Sequence, residues 1–543
     1  MRGMSMSVKS PLRLAAAAAV VTLAGAACSG ESTSNATKGG GSELAAPGGT
    51  VTYRMAGAPD SLDPFKTVTG ATTPITYATY DTLVQYNPRT KAYIGVVAKS
   101  WEVTPSSIKF QLRSDVKCRD GSAFTPTDIA ASLKAYMDPK TGSPYATRWL
   151  GKAPLTFTAD DAGSTLTITA AEPFGSLLAG LKMVPLVCPA GLKDRARLAS
   201  GAEGSGPYEL ADSKPGLSYT LKLRDDYTWG PSGMTSGAPG VPETIILKVI
   251  NSDATAANEL LAGTIDVSGL GGVDAQRVES NKSIAKTVVA TQGQWSVVGN
   301  MEAGHVTADP EVRHALFQAI DRRALLLAYL GPTASDIELG TSVLPPNMPG
   351  YDESTKELVP EFSPEAAKAT LSAAGWTESG GHWTKDGKVL QVRVIGGAGW
   401  GNANEYLASQ FKNIGVDVKL SVTDENGWLA DLSSGNYDIT IFPIDGSVEA
   451  PTALMSFYVG ALPPTGTNFI RNGDAELTAI VDQAAASVGA EADKLWATVQ
   501  TKLLRNYDLL PWQVPVTPIY TSPKVTLQIN GLPSTLAIRR TKG

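Results

Sequence analysis

Apolar and polar residues alternate with period two in short runs along this chain, and between the runs apolar positions recur at helical spacing. Val51, Tyr53 and Met55 alternate with Thr52 and Arg54, and Ile108, Phe110 and Leu112 with Lys109, Gln111 and Arg113. YTLKLR at 219–224, TIILKVI at 244–250, VLQVRVI at 389–395, VDVKLSV at 416–422 and YDITIF at 437–442 repeat the pattern. These runs predict strands bounded by turns. The helix starts are equally legible. In FTPTDIAASLKAYM, Thr125 is a cap, Pro126 takes the first helical position and Asp128 completes a capping box. DPEVRHALFQAIDRRALLLAYLG reads as a helix opened by Asp309 and Pro310, with Val312, Leu316 and Ile320 on one face and Gly331 at its end. SPEAAKATLSAAGW opens the same way at Ser363 and closes at Gly375. The mixture predicts an α/β fold, and no long-period repeat or linker after residue 48 divides it.

The N-terminus follows a different rule. Arg2, Lys9 and Arg13 precede an apolar run from Leu14 to Leu23 that ends in Gly25, Ala26 and Ala27, the charged, apolar and small-residue order of an export signal. The run is too short to span a bilayer. After Cys28 the segment SGESTSNATKGGGSELAAPGG reads as a flexible tether reaching roughly 25 Å. Signal, cysteine and tether resemble the start of a bacterial lipoprotein, in which Cys28 carries the lipid; cleavage that releases a soluble protein is the alternative. Losing the signal's three basic residues takes the net charge from −6 to −9 and leaves 516 of 543 residues. An acidic chain without a basic block argues against nucleic acid as a partner. Cys118 and Cys188 remain, and in an oxidising compartment two leftover cysteines are expected to pair.

Enzyme chemistry finds little support. His305, His314 and His382 form no metal-ligand spacing, and HExxH, GxxxxGK[ST] and GxSxG are absent. Serine-lysine patterns at 106–109, 114–117 and 283–286 stand in the wrong context or order relative to KTG at 140–142. No carboxylate pair is singled out for glycoside hydrolysis, which leaves a secreted hydrolase as an alternative to binding without chemistry. Neither a cofactor nor a metal is expected.

SLDPF at 61–65, YDTLVQYNPRT at 80–90, VAKSWEV at 97–103 and IKFQLRSDVKCRDGSAFTPTDIAASLKAY at 108–136 resemble the extracellular solute-binding proteins of peptide and nickel ABC importers, the oligopeptide-binding class. The resemblance continues in order through GSGPYEL at 204–210, ANELLAGTIDV at 257–267, VRHALFQAIDRRALL at 312–326, AKATLSAAGW at 367–376 and LASQFKNIGVDVKL at 407–420. It implies two lobes of periplasmic-binding-protein type, with a ligand cleft between them that closes by hinge motion. Lobe I would take 48–85, 204–293 and 512–543, an extra subdomain 86–203, and lobe II 294–511, after a signal at 1–27 and a tether at 28–47. The implied partners are a small peptide or other organic solute, an ABC permease and ATPase, and the membrane through Cys28, with the protein itself a monomer at the outer face of the cytoplasmic membrane.

In peptide-binding relatives a lobe II carboxylate pairs with the ligand's amino terminus, because a buried ammonium needs a counter-charge. The matching stretch, YDITIFPIDGSVEAPTALMSF at 437–457, points to Asp445 and then Glu449. Trp400 in GGAGWGN and Trp428 in DENGWLA follow strands and neighbour glycines, where an indole can stack on a ligand. Trp295 lies near the expected hinge, and Tyr77 is a candidate from lobe I. The tryptophans keep an oligosaccharide open as the ligand. A lipoprotein of adhesion or signalling is a further alternative.

Overall fold

The computed structural model describes residues 43–67, 70–87, 90, 92–199, 201–290, 293–334, 337–346, 348–444, 450–529 and 534–542. Two large sheets carry the architecture. The first has seven strands, in spatial order Ala285–Ala290, Val516–Thr521, Val267–Gly269, Thr50–Met55, Thr244–Val249, Ser218–Leu223 and Tyr208–Lys214. Thr50–Met55 runs parallel to both of its neighbours, and the remaining pairings are antiparallel. The second sheet has five strands, in the order Asp417–Thr423, Gln391–Gly397, Ile439–Ile444, Gln294–Gly299 and Leu509–Gln513. A four-stranded antiparallel sheet, built from Ala98–Thr104, Ser107–Leu112, Thr165–Ala170 and Leu155–Asp160, lies within the segment 86–203. The chain passes between the large sheets twice, from Ala285–Ala290 into Gln294–Gly299 and from Leu509–Gln513 into Val516–Thr521.

Period two explains how the five-stranded sheet is covered. Val297, Val392, Val394, Ile439, Ile441, Leu510 and Trp512 enter one core, while their neighbours Val298, Ile395, Phe442, Ile444 and Leu509 enter another. Successive side chains point to opposite faces, so one sheet serves two cores and both faces are buried.

The capped starts form as expected at Thr125, where side chain and backbone exchange hydrogen bonds with Asp128, at Asp309 and at Ser363. The run after Asp309, however, is two helices, Pro310–Gln318 and Arg322–Leu330. Asp321 breaks it. Its carboxylate accepts from the backbone N–H groups of Arg323 at 2.9 Å and Ala324 at 3.1 Å, which starts a second helix. The apolar spacing of Val312, Leu316 and Ile320 runs on through the break and conceals it. Asp321→Ala is expected to cost about 1 kcal/mol in urea denaturation; an unchanged midpoint would show that packing alone starts this helix.

Cys118 and Cys188 are bridged, with Cα atoms 6.0 Å apart. Cys118 sits on a tight turn in which its N–H donates to Ser122 O and Gly121 adopts φ +82°, a conformation that Asp-Gly sequences favour. No helix among the described residues is long and apolar enough to cross a membrane.

Candidate functional site

The strand Thr50–Met55 delivers its carboxyl end into the loop that carries Pro64, Phe65, Thr67 and Gly70, followed by the helix Thr73–Thr79. Crevices outside the carboxyl ends of parallel strands are where α/β sheets hold ligands. The loop is pinned at Asp63, whose carboxylate accepts from Phe65 N–H at 3.0 Å and from Arg195 Nη2 at 2.5 Å. The same guanidinium lies 5.1 Å from the Phe65 ring centroid, so one cation fixes both the turn and the ring.

Facing this loop is a wall of rings. Tyr136 ends the capped helix Pro126–Met137, and Tyr145 and Trp149 sit four residues apart around the short helix Ala146–Leu150. Trp149 stacks on Tyr145 at 5.0 Å and 15°, and lies parallel to Tyr136 at 6.1 Å and 7°. Phe65 meets Tyr136 edge-on at 5.1 Å. Met183 and Pro185, just before the bridged Cys188, complete the enclosure. Together these residues surround a cavity of about 270 Å³, which Tyr77 and Tyr80 also line. Among the described residues, no Lys, Arg, His, Asp or Glu lines it.

Tyr136 Oη, Ser143 Oγ and Trp149 Nε1 are buried within the wall of the cavity, and Trp149 Nε1 has no hydrogen-bond partner among the described residues. Burial holds the Tyr136 phenol well above its ordinary range, with the Ser143 hydroxyl beside it acting in the opposite direction. Tyr80, by contrast, is satisfied, its hydroxyl accepting from Glu203 N–H at 3.1 Å. The cavity therefore offers rings and neutral hydrogen-bonding groups, with no fixed charge for an ion.

The segment 86–203 meets the region of the five-stranded sheet close to this cavity. Gly175 N–H donates to Ala485 O at 2.6 Å, and Thr452 Oγ1 donates to Ser176 Oγ at 3.0 Å. Ser176 leads into the helix Leu177–Leu181, and a Cβ on its Gly180 would lie 1.7 Å from Trp149 O, so only glycine permits this approach. One short helix thus connects the cavity wall to the contacts with Thr452 and Ala485.

Of the residues expected from sequence, Tyr77 lines the cavity. Trp295, Trp400 and Trp428 form a cluster of their own against the five-stranded sheet. Trp400 lies 6.4 Å from Trp295 and 5.2 Å from Trp428, and Trp295 packs on Tyr329 at 4.7 Å. Trp295 and Trp428 are buried, and Trp428 Nε1 donates to Thr440 Oγ1 at 3.0 Å; Trp400 is half-buried between the two cores. Asp445, Glu449 and Cys28 lie outside the described residues. His314 stacks on Tyr507 at 3.9 Å, and His305 Nδ1 lies 2.8 Å from Asp438 Oδ1. Sequence reasoning missed Phe65, Tyr136, Tyr145 and Trp149; the signal available was the aromatic pair four apart at 145 and 149, just after the turn-forming Gly142-Ser143-Pro144.

The family described as bacterial extracellular solute-binding proteins, family 5 Middle, matches residues 92–463. The periplasmic murein peptide-binding protein MppA of Escherichia coli is 25% identical over 504 residues, 85% of this chain and 86% of that one. The oligopeptide-binding protein OppA of Mycobacterium tuberculosis is 21% identical over 395 residues, 71% of this chain and 65% of that one. Among solved structures, a substrate-binding protein from Microbacterium hydrocarbonoxydans, complexed with 4-hydroxybenzoate hydrazide, is similar at a TM-score of 0.67 and 26% identity, covering 91% of this chain and all of that one.

Proposed function

Because the chain belongs to the family 5 bacterial extracellular solute-binding proteins, we propose that it captures a peptide or related organic solute between two lobes and hands it to an ABC permease and its ATPase. Members of this family and the relatives compared are binding proteins, not enzymes. The observation that carries the reading is the match of residues 92–463 to this family; the cavity of about 270 Å³ at the carboxyl end of Thr50–Met55, lined from 64–82 and 136–185 and ringed by aromatic side chains, supports a solute site on the lobe I side. Such a site holds an uncharged part of a solute and carries no group arranged for bond breaking.

In this reading lobe I comprises 48–85, 204–293 and 512–543, the subdomain 86–203, and lobe II 294–511. The distribution of strands between the two large sheets supports the division. The solute lies against Tyr77 on one side and is covered from lobe II, with Trp400, Trp428 and Trp295 behind it and Asp445 or Glu449 supplying a counter-charge to an amino terminus. Capture draws the lobes together, because the solute binds the closed form more tightly than the open one. The protein works as a monomer outside the cytoplasm, tethered through lipid on Cys28. Mutual packing of the three tryptophans favours a peptide over a sugar stacked on them.

Thermal melting of the purified protein with di- to hexapeptides tests this. A ligand at a hundred times its dissociation constant adds about 2.7 kcal/mol of stability by mass action. Peptides with free amino termini are expected to raise the midpoint, and acetylated ones to raise it less. Equal shifts would remove the carboxylate from the site, and no shift with any peptide would remove peptides as the ligand.

A further inference from the structure

The contact of Gly175 and Ser176 with Ala485 and Thr452 is built differently from the rest of the interior. Among the described residues, no apolar core joins the segment 86–203 to residues 294–511. This contact is instead made by hydrogen bonds, with Gly175, Thr452 and Ala485 only half-buried. Ala485 O belongs to the last turn of the helix Ala475–Ala486, whose final carbonyls find no donor within the helix, and the Gly175 N–H supplies one. Bonds of this kind exchange for water at small net cost, and small polar contacts between parts of a chain permit relative motion. A Cβ on Gly175 would lie 1.9 Å from Ser487 O and 3.1 Å from Ala485 O, yet Gly175 does not adopt a positive φ. Glycine is therefore required by the contact and not by the local backbone. The tip is anchored on its own side: Phe174 N–H donates to Pro105 O at 2.8 Å, and Gly180 N–H to Ser176 O at 3.0 Å. The Phe174 ring also packs at Gly151, where the helix Ala146–Leu150 ends just after Trp149 of the cavity. On the other side, Thr452 stands in the helix Pro451–Met455, three residues after Glu449.

Resting on the reading that solute is captured between two parts that close, we propose that residues 174–176 are a latch, which engages Thr452 and Ala485 in the closed form and releases them in the open one. Gly175 and Ser176 are positioning residues. They set the ratio of closed to open protein without touching the solute, and they give the segment 86–203 a part in closure beyond lining the cavity.

Small-angle X-ray scattering of the full chain, fitted as a ratio of compact to extended particles, tests the latch, with circular dichroism and thermal melting on the same samples. Gly175→Ala is expected to lower that ratio about ten-fold while keeping the wild-type circular dichroism and midpoint. Thr452→Ala removes one hydrogen bond without adding bulk, and is expected to lower the ratio by less. Di- to hexapeptides are expected to raise the midpoint of Gly175→Ala less than that of the wild type. A ratio unchanged in Gly175→Ala, or no compact population in the wild type with or without peptides, overturns the latch. If the peptides then raise both midpoints equally, solute capture stands without it. If Gly175→Ala instead melts far below the wild type at an unchanged ratio, the contact is fixed packing, and the reading of two closing parts falls with the latch. If no peptide raises the wild-type midpoint, peptides fall as the solute, while the scattering ratio still decides the latch.

Discussion

Asp81→Ala is expected to destabilise the protein by roughly 3–6 kcal/mol, because three buried donors lose at once the one acceptor they have among the described residues. Asp81 Oδ1 accepts from Tyr227 Oη at 3.0 Å, and Oδ2 accepts from Trp229 Nε1 and Ser205 Oγ, each at 2.9 Å. Tyr227 and Trp229 are buried, with no access to water in exchange. The backbone of Asp81 accepts from Leu186 N–H at 2.9 Å, so the same residue joins the chain just after the helix Thr73–Thr79 to the segment that carries Met183 and Pro185 of the cavity. Urea denaturation followed by circular dichroism measures the loss; a value under about 1 kcal/mol would mean that neighbouring groups replace the carboxylate. Acidity supplies an independent check. Burial, the dominant influence, pushes this carboxyl up from 3.8 to about 6, against the hydrogen bonds from Trp229, Ser205 and Tyr227. The folded state therefore holds its proton more tightly than the unfolded chain does. Its contribution favours the folded state fully below about pH 3.8 and is lost as pH rises through about 6. Asp508, buried against Arg313, is raised to about 6 as well. The stability of the wild type minus that of Asp81→Asn cancels the Asp508 contribution and isolates Asp81. That difference is expected to fall between about pH 4 and pH 6, and a flat difference would contradict the account.

Removing the bridge is the second large effect. Cys118 and Cys188 are 70 residues apart in sequence, and closing a loop of that length stabilises by about 4 kcal/mol in the chain-entropy treatment, an upper figure. Both ends are built into the structure: Cys118 O accepts from Arg224 Nη2 at 3.0 Å, and Cys188 N–H donates to Glu203 O at 2.9 Å. Arg224 in turn lies over the Trp229 ring, 5.4 Å from its centroid. The double variant Cys118→Ser with Cys188→Ser is expected to melt at lower temperature and to bind solute several-fold more weakly, because Met183 and Pro185 lose the tether beside them. Dithiothreitol should lower the wild-type midpoint and leave the double variant unchanged. A wild type indifferent to reductant would show that the bridge contributes nothing to stability.

Strands and caps were legible because each rests on neighbouring residues. Ile439 and Ile441 announce a strand, and Thr125 with Asp128 announces a helix start, within four residues of sequence. The broken helix was not, since Asp321 caps from inside an unbroken apolar rhythm. The cavity was legible only at Tyr77. Its other rings come from residues 65, 136, 145 and 149, and their convergence depends on how the subdomain folds back on the loop after the first strand. Glycine misled at Trp400. A Cβ on Gly397 would sit 2.8 Å from the Trp400 ring, so that glycine makes room for the indole itself.

The strand order of the first sheet also sets a timetable. Val516–Thr521 lies between Ala285–Ala290 and Val267–Gly269, and Ala285–Ala290 has no other partner in the sheet. Residues 43–45 are likewise held by Arg540 to Lys542, through Ala45 N–H to Arg540 O and Lys542 N–H to Glu43 O. A chain made from its N-terminal side onward thus cannot complete the first sheet until residues 516–521 have been synthesised. Until then it remains an incomplete sheet, the state in which a polypeptide can still be threaded through an export channel.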